Sequence, residues 1–274
     1  MVAQLQRQCS GVGQSFRYEI VVADDGSTDS AVVTDNESVN RLPCCRYVRK
    51  PSNTGSAATR NFLAQLSQYP WLLFLDCDMT VPDERFVQRY LQNSDYDVVS
   101  GGLQVGRGSR HNLRYRYERR AERRHTAGRR NRSGFLEFRS CGFLIRRDLL
   151  LRCPFDERFT RSGYEDVLLG KQLAAAGATI LHTDNPLVLD DFETNADYLG
   201  KMERSWRTLY RFRAELQGYS RLLSLVERLS WLRPLVAAAH RLLGPAERRL
   251  LTSRHPSLTV FNLYRTGFLA SLYK

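Results

Sequence analysis

The stretch YPWLLFLDCDMTVP, residues 69–82, decides how the rest of the chain is read. Five of the six residues from Trp71 to Asp76 are strongly apolar, the composition of a buried strand. The run then stops at two carboxylates, Asp76 and Asp78, with only Cys77 between them. Residues i and i+2 of an extended segment point to the same side, so the two acids can converge on one cation. Hard divalent ions such as Mg²⁺ or Mn²⁺ take carboxylate oxygens and keep room for phosphate oxygens. A solvated turn helped by Pro82 is the plainer reading of the same residues.

Upstream, YEIVVA (residues 18–23) is a second apolar, β-branched run, and it stops at DDGSTD. There Gly26 and Ser27 are turn chemistry and Asp29 can open a helix. A weaker strand, CRYVRK, precedes a loop that feeds a helix with Ala58, Phe62 and Leu66 at four-residue spacing. Downstream, a helix is expected from Asp83 to Leu91, then a strand in YDVVSGG ending at Gly101 and Gly102. CGFLIRRDLL resumes the strand-to-helix pattern. SGYEDVLLGKQLAAAG reads as a helix closed by Gly177, with Glu165 and Asp166 in its first turn. In that position the helix dipole favours the ionised carboxylate. His182, after the strand-like TIL, reads as a satisfied core histidine. From Asn195 onward the pattern is helical, with interruptions expected at Pro234, Pro245 and Pro256.

Strands alternating with helices predict an α/β fold with a mostly parallel, Rossmann-like sheet flanked by helices. Ligands of such sheets sit outside the carboxyl ends of the strands, where Asp24/Asp25, Asp76/Asp78 and Gly101/Gly102 converge. Two domains are expected, 1–195 and a basic helical extension over 196–274.

Charge is unevenly placed. The chain carries +12, yet residues 107–132 hold eleven Arg against two Glu, and residues 196–274 hold fourteen Lys/Arg against five acids. Each segment is +9, so the remainder is −6. An acidic region lies between two basic ones. The six cysteines show no metal-knuckle spacing, and no apolar run reaches the length of a membrane span. A reduced, cytoplasmic setting follows as the expectation.

Taken in order, strand–DDGSTD, N-x-G-x-x-x-x-R-N, strand–D-x-D, G-G and G-x-E-D-x-x-L resemble the family 2 glycosyltransferases of the GT-A fold. The residues that carry the resemblance are Asp24, Asp25, Asn53, Gly55, Arg60, Asn61, Asp76, Asp78, Gly163, Glu165, Asp166 and Leu169. FNLYRTGFLA near the end looks like the tail of a bacterial subgroup. The resemblance implies a nucleotide-sugar donor, a UDP-sugar, with Asp24 and Asp25 on the uridine and Asn53, Gly55 and Arg60 beside them. It implies Mn²⁺ or Mg²⁺ on Asp78, with Asp76 on the ribose or sharing the ion. Asp166, seconded by Glu165, would be the base that deprotonates an acceptor hydroxyl of a glycan or lipid-linked saccharide, giving inversion.

Two departures stand out. The family opens with a strand ending in a P-x-Y-N-like signature, whereas this chain opens on VAQLQRQCSG, the helix that would follow it. That first strand is expected to be missing, through truncation of the reading frame or through decay. The resemblance also implies a histidine near Leu189, and Asp190, Asp191 or His182 are the candidates to replace it.

The arginine run reads as a solvated helix or as a lid over a diphosphate or anionic acceptor. Nucleic acid is the weaker partner, since no DNA or RNA module signature accompanies the charge. The cationic C-terminal helices either pack on the catalytic domain or lie on the anionic inner face of a membrane. A rival enzyme class reads FLDCDMT as a haloacid-dehalogenase-type phosphatase, with Asp76 as nucleophile, Asp78 as acid/base, and LVLDD and Lys171 completing it. A catalytically inactive GT-A scaffold is the third reading.

Overall fold

The computed structural model of the chain describes residues 1–161 and 163–273. Its first elements are α1 (Val2–Ser10), β1 (Ile20–Asp24), α2 (Ser30–Glu37), β2 (Cys45–Arg49), α3 (Ser56–Leu66), β3 (Trp71–Leu75) and α4 (Phe86–Leu91). The middle of the chain gives β4 (Val98–Ser100), β5 (Leu103–Val105), α5 (Leu113–Glu122), α6 (Ala127–Ser133), β6 (Gly142–Arg146) and α7 (Arg147–Arg152). There follow α8 (Glu165–Ala175), β7 (Ile180–His182), β8 (Leu187–Leu189), α9 (Asn195–Arg211), α10 (Arg221–Arg228), α11 (Arg233–Thr252) and α12 (Leu258–Ser271). Two compact units form: Met1–Gln104 with Ala127–Val188, and Val105–Thr126 with Leu189–Lys274. The arginine-rich stretch is therefore divided: residues 105–126 belong with the C-terminal helices and 127–132 with the sheet.

In the first unit β1 and β2 are parallel, in register from Ile20↔Cys45 to Asp24↔Arg49. A four-stranded sheet has the order β3-β6-β4-β7. The expected α/β architecture is present, but the sheet is mixed: β6 runs antiparallel to β3 and β4, while β4 and β7 are parallel. Composition marks β6 as a buried strand but carries no direction. The reversal puts the start of β6 beside the ends of β3 and β4, so the Asp76 amide donates to Cys141 O at 2.9 Å. The Gly101 amide reaches Gly142 O at 3.3 Å. Phe143 of β6 is fully buried and stacks on Phe74 with centroids 5.1 Å apart. Each such buried side chain contributes about 1.5–3 kcal/mol.

Among the described residues no strand pairs with the second edge of β1 or of β3. The Ile20–Ala23 stretch of β1 is only half-buried in consequence.

Helix ends follow their residue chemistry. Asp29 caps α2 by accepting from Ala31 N (2.9 Å) and Val32 N (3.4 Å). Gly177, at φ 74°, terminates α8, and Ala178 N donates back to Leu173 O at 3.1 Å. The face of α3 differs from the expectation: Ala57, Asn61 and Ala64 are buried, whereas Ala58, Phe62 and Leu66 are half-buried. Hydropathy favours the larger side chains, but the close helix contact needs the small ones and the hydrogen-bonding Asn61.

The second unit packs α9, α11 and α12 around Trp206, with Phe261 and Phe268 at 5.8 and 5.6 Å from its ring. Helix α5 joins it through Arg114–Glu193 (2.7 Å) and Tyr117 against Phe261 (5.3 Å). Pro245 does not interrupt the helix as expected but lies inside α11. Pro234 sits in its first turn, a position that needs no N–H partner, and Pro256 precedes α12. Among the described residues no helix is long and apolar enough to cross a membrane.

Candidate active site

The end of β1 supplies Asp24 and Asp25. Asp24 is buried and fully engaged: Oδ1 accepts from Ser27 N at 2.7 Å and Oδ2 from the Tyr47 hydroxyl of β2. The tyrosine first, then the Ser27 amide, hold its carboxyl below the usual range. Asp25 accepts from Lys50 Nζ (2.8 Å), Thr54 N (3.0 Å) and Gly55 N (2.8 Å). Burial alone would raise its pKa, but these donors outweigh it and hold Asp25 below the usual range too.

Two glycines make this junction possible. Gly26, at φ 81°, leaves no room for a Cβ, which would sit 2.6 Å from Asn53 N. Gly55, at φ 90°, lies so close to the backbone of Thr160 that a Cβ would be 2.7 Å from Thr160 O. The loop 52–55 is thus pressed between the acids of β1 and the segment that leads into α8.

From Gly55 the contacts continue to the Glu-Asp pair. Ser56 Oγ donates to Glu165 Oε1 at 3.0 Å, and Gly163 N donates to Glu165 Oε2 at 2.6 Å. Arg60, one turn further along α3, joins two carboxylates: Nη2 bonds Asp76 Oδ1 at 2.8 Å, and Nη1 lies 3.6 Å from Glu165 Oε1. Its guanidinium rests on the Phe155 ring at 5.3 Å, and Nη1 has no hydrogen-bond partner. Burial raises the Asp76 pKa, Arg60 opposes that, and Asp78 and Glu165 add to it.

Asp166 is half-buried beside this network, its Oδ1 accepting from Val167 N at 2.8 Å. Its pKa is pushed up to about 6, by burial first and by Glu165 second, against the pull of Arg60 and Arg139. The helix-dipole expectation is thus outweighed: desolvation dominates at this first turn. Glu165, by contrast, is a clamp between Ser56, Gly163 and Arg60.

The structure therefore connects Asp25, Gly55, Arg60, Asp76 and Glu165 through direct contacts, with Asp24 and Asp166 alongside. Asn53 and Asp78 are exposed on the neighbouring loops. Asn61 is removed from the site chemistry altogether. Buried, it donates to Phe155 O (2.9 Å) and Glu157 Oε1 (2.9 Å) and accepts from Phe155 N (2.9 Å).

His182 is likewise occupied. Arg130 Nη1 meets Nδ1 at 3.1 Å and Nε2 meets Gly134 O at 2.9 Å, which fixes a neutral ring donating from Nε2. Burial, and then Arg130, push its pKa down. It is the core histidine the sequence predicted and does not replace the absent metal-side histidine. Leu189 is buried, and Asp190 and Asp191 are exposed in the second unit.

Sequence reasoning missed Tyr47, Lys50, Ser56, Thr160 and Arg130. Lys50 is only 9% exposed and hydrogen-bonds Asp25, Thr54 and Thr59. A lysine at a strand end reads as solvent-facing unless the acid that buries it is known.

The model for glycosyl transferase family 2 matches residues 1–153, more than half of the chain. A hyaluronan synthase of Pasteurella multocida is 33% identical over 89 residues, 31% of this chain and 9% of that protein. A chondroitin synthase of Escherichia coli is 35% identical over 80 residues, 28% of this chain and 11% of that protein. The chain thus spans about a tenth of the length of these curated relatives.

Among solved structures, the mannosyltransferase PcManGT of Pyrobaculum calidifontis, in complex with GDP-Man and Mn²⁺, aligns with TM-score 0.57 and 16% identity. That match covers 99% of this chain and 83% of the other. Residues 1–349 of S. aureus TarS align with TM-score 0.51 and 18% identity, covering 97% and 85%. These likenesses show the fold. The phosphatase reading is not favoured, since the family match runs through the D-x-D of Asp76 and Asp78. On the family match, its ordered motifs and the fold that carries them, the chain belongs to glycosyl transferase family 2, with a GT-A fold.

Proposed function

We propose that the chain transfers a sugar, with inversion, from a nucleotide-sugar to an acceptor hydroxyl of a glycan or lipid-linked saccharide in the cytoplasm. The observation that carries the proposal is the contact chain from Asp25 through Gly55, Ser56 and Glu165 to Arg60 and Asp76. It holds acids from three distant segments beside a carboxylate, Asp166, whose pKa suits proton abstraction near neutral pH. PcManGT, solved with GDP-Man and Mn²⁺, supports a nucleotide-sugar donor and a divalent ion. The choice of UDP rests on the resemblance of the sequence motifs.

In this reading Asp24, Asp25, Asn53, Gly55 and Arg60 form the nucleotide wall, with Asp76 at the ribose. Asp166 takes the acceptor proton while Glu165 keeps the start of α8 in place. Attack opposite the leaving diphosphate inverts the anomeric carbon. Among the described residues no group of three His, Cys, Asp or Glu is placed to hold an ion alone. Two hard carboxylates, Asp76 and Asp78, fit an ion that completes its shell with diphosphate oxygens and water. Bound there, Mn²⁺ or Mg²⁺ would neutralise charge on the departing diphosphate.

The test is a donor screen by release of UDP, GDP or dTDP, with Asp166→Asn as control. Transfer should vanish in the variant while nucleotide–metal binding persists. Full activity of Asp166→Asn removes it as the base.

A further inference from the structure

Helix α11 buries one face and exposes another that is equally apolar. Ala237, Gly244 and Leu251 are buried, and His240 turns inward beside Glu247, 3.4 Å away. The opposite face recurs at three- and four-residue spacing as Leu235, Ala238, Ala239, Leu242, Pro245 and Ala246, all exposed. Leu235 is 67% exposed and Leu242 80%, and Trp231, just before the helix, is 77% exposed. A surface helix packed on a core ordinarily spends its apolar stripe on that core and shows water a polar face. Here the inner stripe is spent and a second remains, and an uninterrupted apolar surface of this kind marks an interaction site.

The charges around it select the partner. Arg241 and Arg249 are exposed, on the flank and at the C-terminal end of the stripe, and Arg228 is exposed in α10. The single acid of α11, Glu247, sits on the inner side against His240. An apolar strip with arginines at its border, no outward acid and an exposed tryptophan at one end fits the interfacial zone of an anionic bilayer. There leucines enter the acyl boundary, the indole lies at headgroup level and the arginines meet lipid phosphates. We propose that the outer face of α11, with Trp231, is a peripheral docking surface for an anionic lipid membrane. This stands independently of the sugar-transfer reading, since none of its residues belongs to the site above.

The experiment uses the full chain with vesicles of phosphatidylcholine alone and of phosphatidylcholine mixed with phosphatidylglycerol. Co-sedimentation with the anionic vesicles and little with the neutral ones is expected, weakening as salt is raised. Tryptophan emission should shift to the blue on binding, and the shift should vanish in Trp231→Phe. Arg241→Gln with Arg249→Gln should weaken binding about thirtyfold, at roughly fivefold per arginine near the surface. Leu242→Ser should weaken it about tenfold. Because all of these side chains are exposed, unchanged circular dichroism and melting temperature in each variant separate lost docking from lost fold.

Equal binding to both vesicle types, no binding to either, or variants that bind like the parent would overturn the proposal. So would a stable dimer that Leu242→Ser dissociates, because the stripe would then be covered by a second copy of the chain.

Discussion

Replacing Asn61 with alanine separates a residue that holds the fold from one that holds a ligand. Asn61 is one of the motif residues, yet its amide spans from α3 to the 153–157 segment with three hydrogen bonds, each 2.9 Å. Two of them satisfy the backbone N–H and C=O of Phe155, whose side chain is 2% exposed. Asn61→Ala leaves both groups buried without partners, at about 1–3 kcal/mol each, so a loss of about 2–6 kcal/mol is expected. With a urea m-value of about 2–3 kcal/mol/M, the midpoint should fall by about 0.7–3 M. Asn61→Asp keeps the acceptor for Phe155 N but sets a carboxylate against Phe155 O and Glu157, so it should rescue little. The discriminating measurement is nucleotide affinity by calorimetry, below the temperature at which the variant unfolds. Affinity should stay within about threefold of the parent, since no candidate donor contact is removed. A variant that melts like the parent but binds nucleotide tenfold more weakly would refute the assignment of Asn61 to the fold.

The remaining predictions concern the charged network. Asp166 has its pKa raised in the folded protein, so the proton bound there favours folding at low pH, and that contribution is lost as pH rises through about 6. Asp166→Asn should therefore be more stable than the parent at pH 7–8, by up to about 3 kcal/mol, with the gain vanishing below pH ~4 in urea titrations. If Asp166 is the base, the acid limb of the pH–rate profile of the parent should rise through about pH 6, and a flat profile there would exclude it. Arg60→Met removes the cation shared by Asp76 and Glu165 and should cost about 3–5 kcal/mol; Arg60→Lys should recover only part, because a single ammonium cannot reproduce the fork. Asp78→Asn, at an exposed position, should leave the urea midpoint within about 0.5 kcal/mol of the parent yet weaken Mn²⁺-dependent nucleotide binding. Unchanged binding of Mn²⁺ with UDP would remove Asp78 from the ion site.

The acids at the strand ends were legible because each follows an apolar run that must be buried. The run fixes the strand, and the first polar residue after it has to emerge at the rim. What tethers those acids was not legible. Ser56 and Glu165 are 109 positions apart and meet only through tertiary packing, and Lys50 looks solvent-facing until Asp25 is placed above it. The direction of β6 escaped for a different reason: burial sets composition, whereas orientation depends on how the preceding excursion returns. On α3 the larger side chains suggested the wrong face, since close packing there is made by two alanines and a hydrogen-bonded asparagine. On α11 amphipathic spacing was visible, but not that a second apolar stripe stays outside once the first is packed.

The contact between Ser56 and Glu165 also has a consequence for the order in which the molecule assembles. Closing a loop of 109 residues costs about 4 kcal/mol of chain entropy, against about 3 for the 25 residues between Ile20 and Cys45 in the β1–β2 pair. Local pairing should come first: Asp24 and Asp25 find their partners between Ser27 and Gly55, whereas Ser56 and Arg60 must wait until the chain as far as α8 supplies Glu165. During synthesis the acids of β1 would therefore be tied down well before Glu165 is made, and closure of the Ser56–Glu165 contact marks a late step in the folding of this unit.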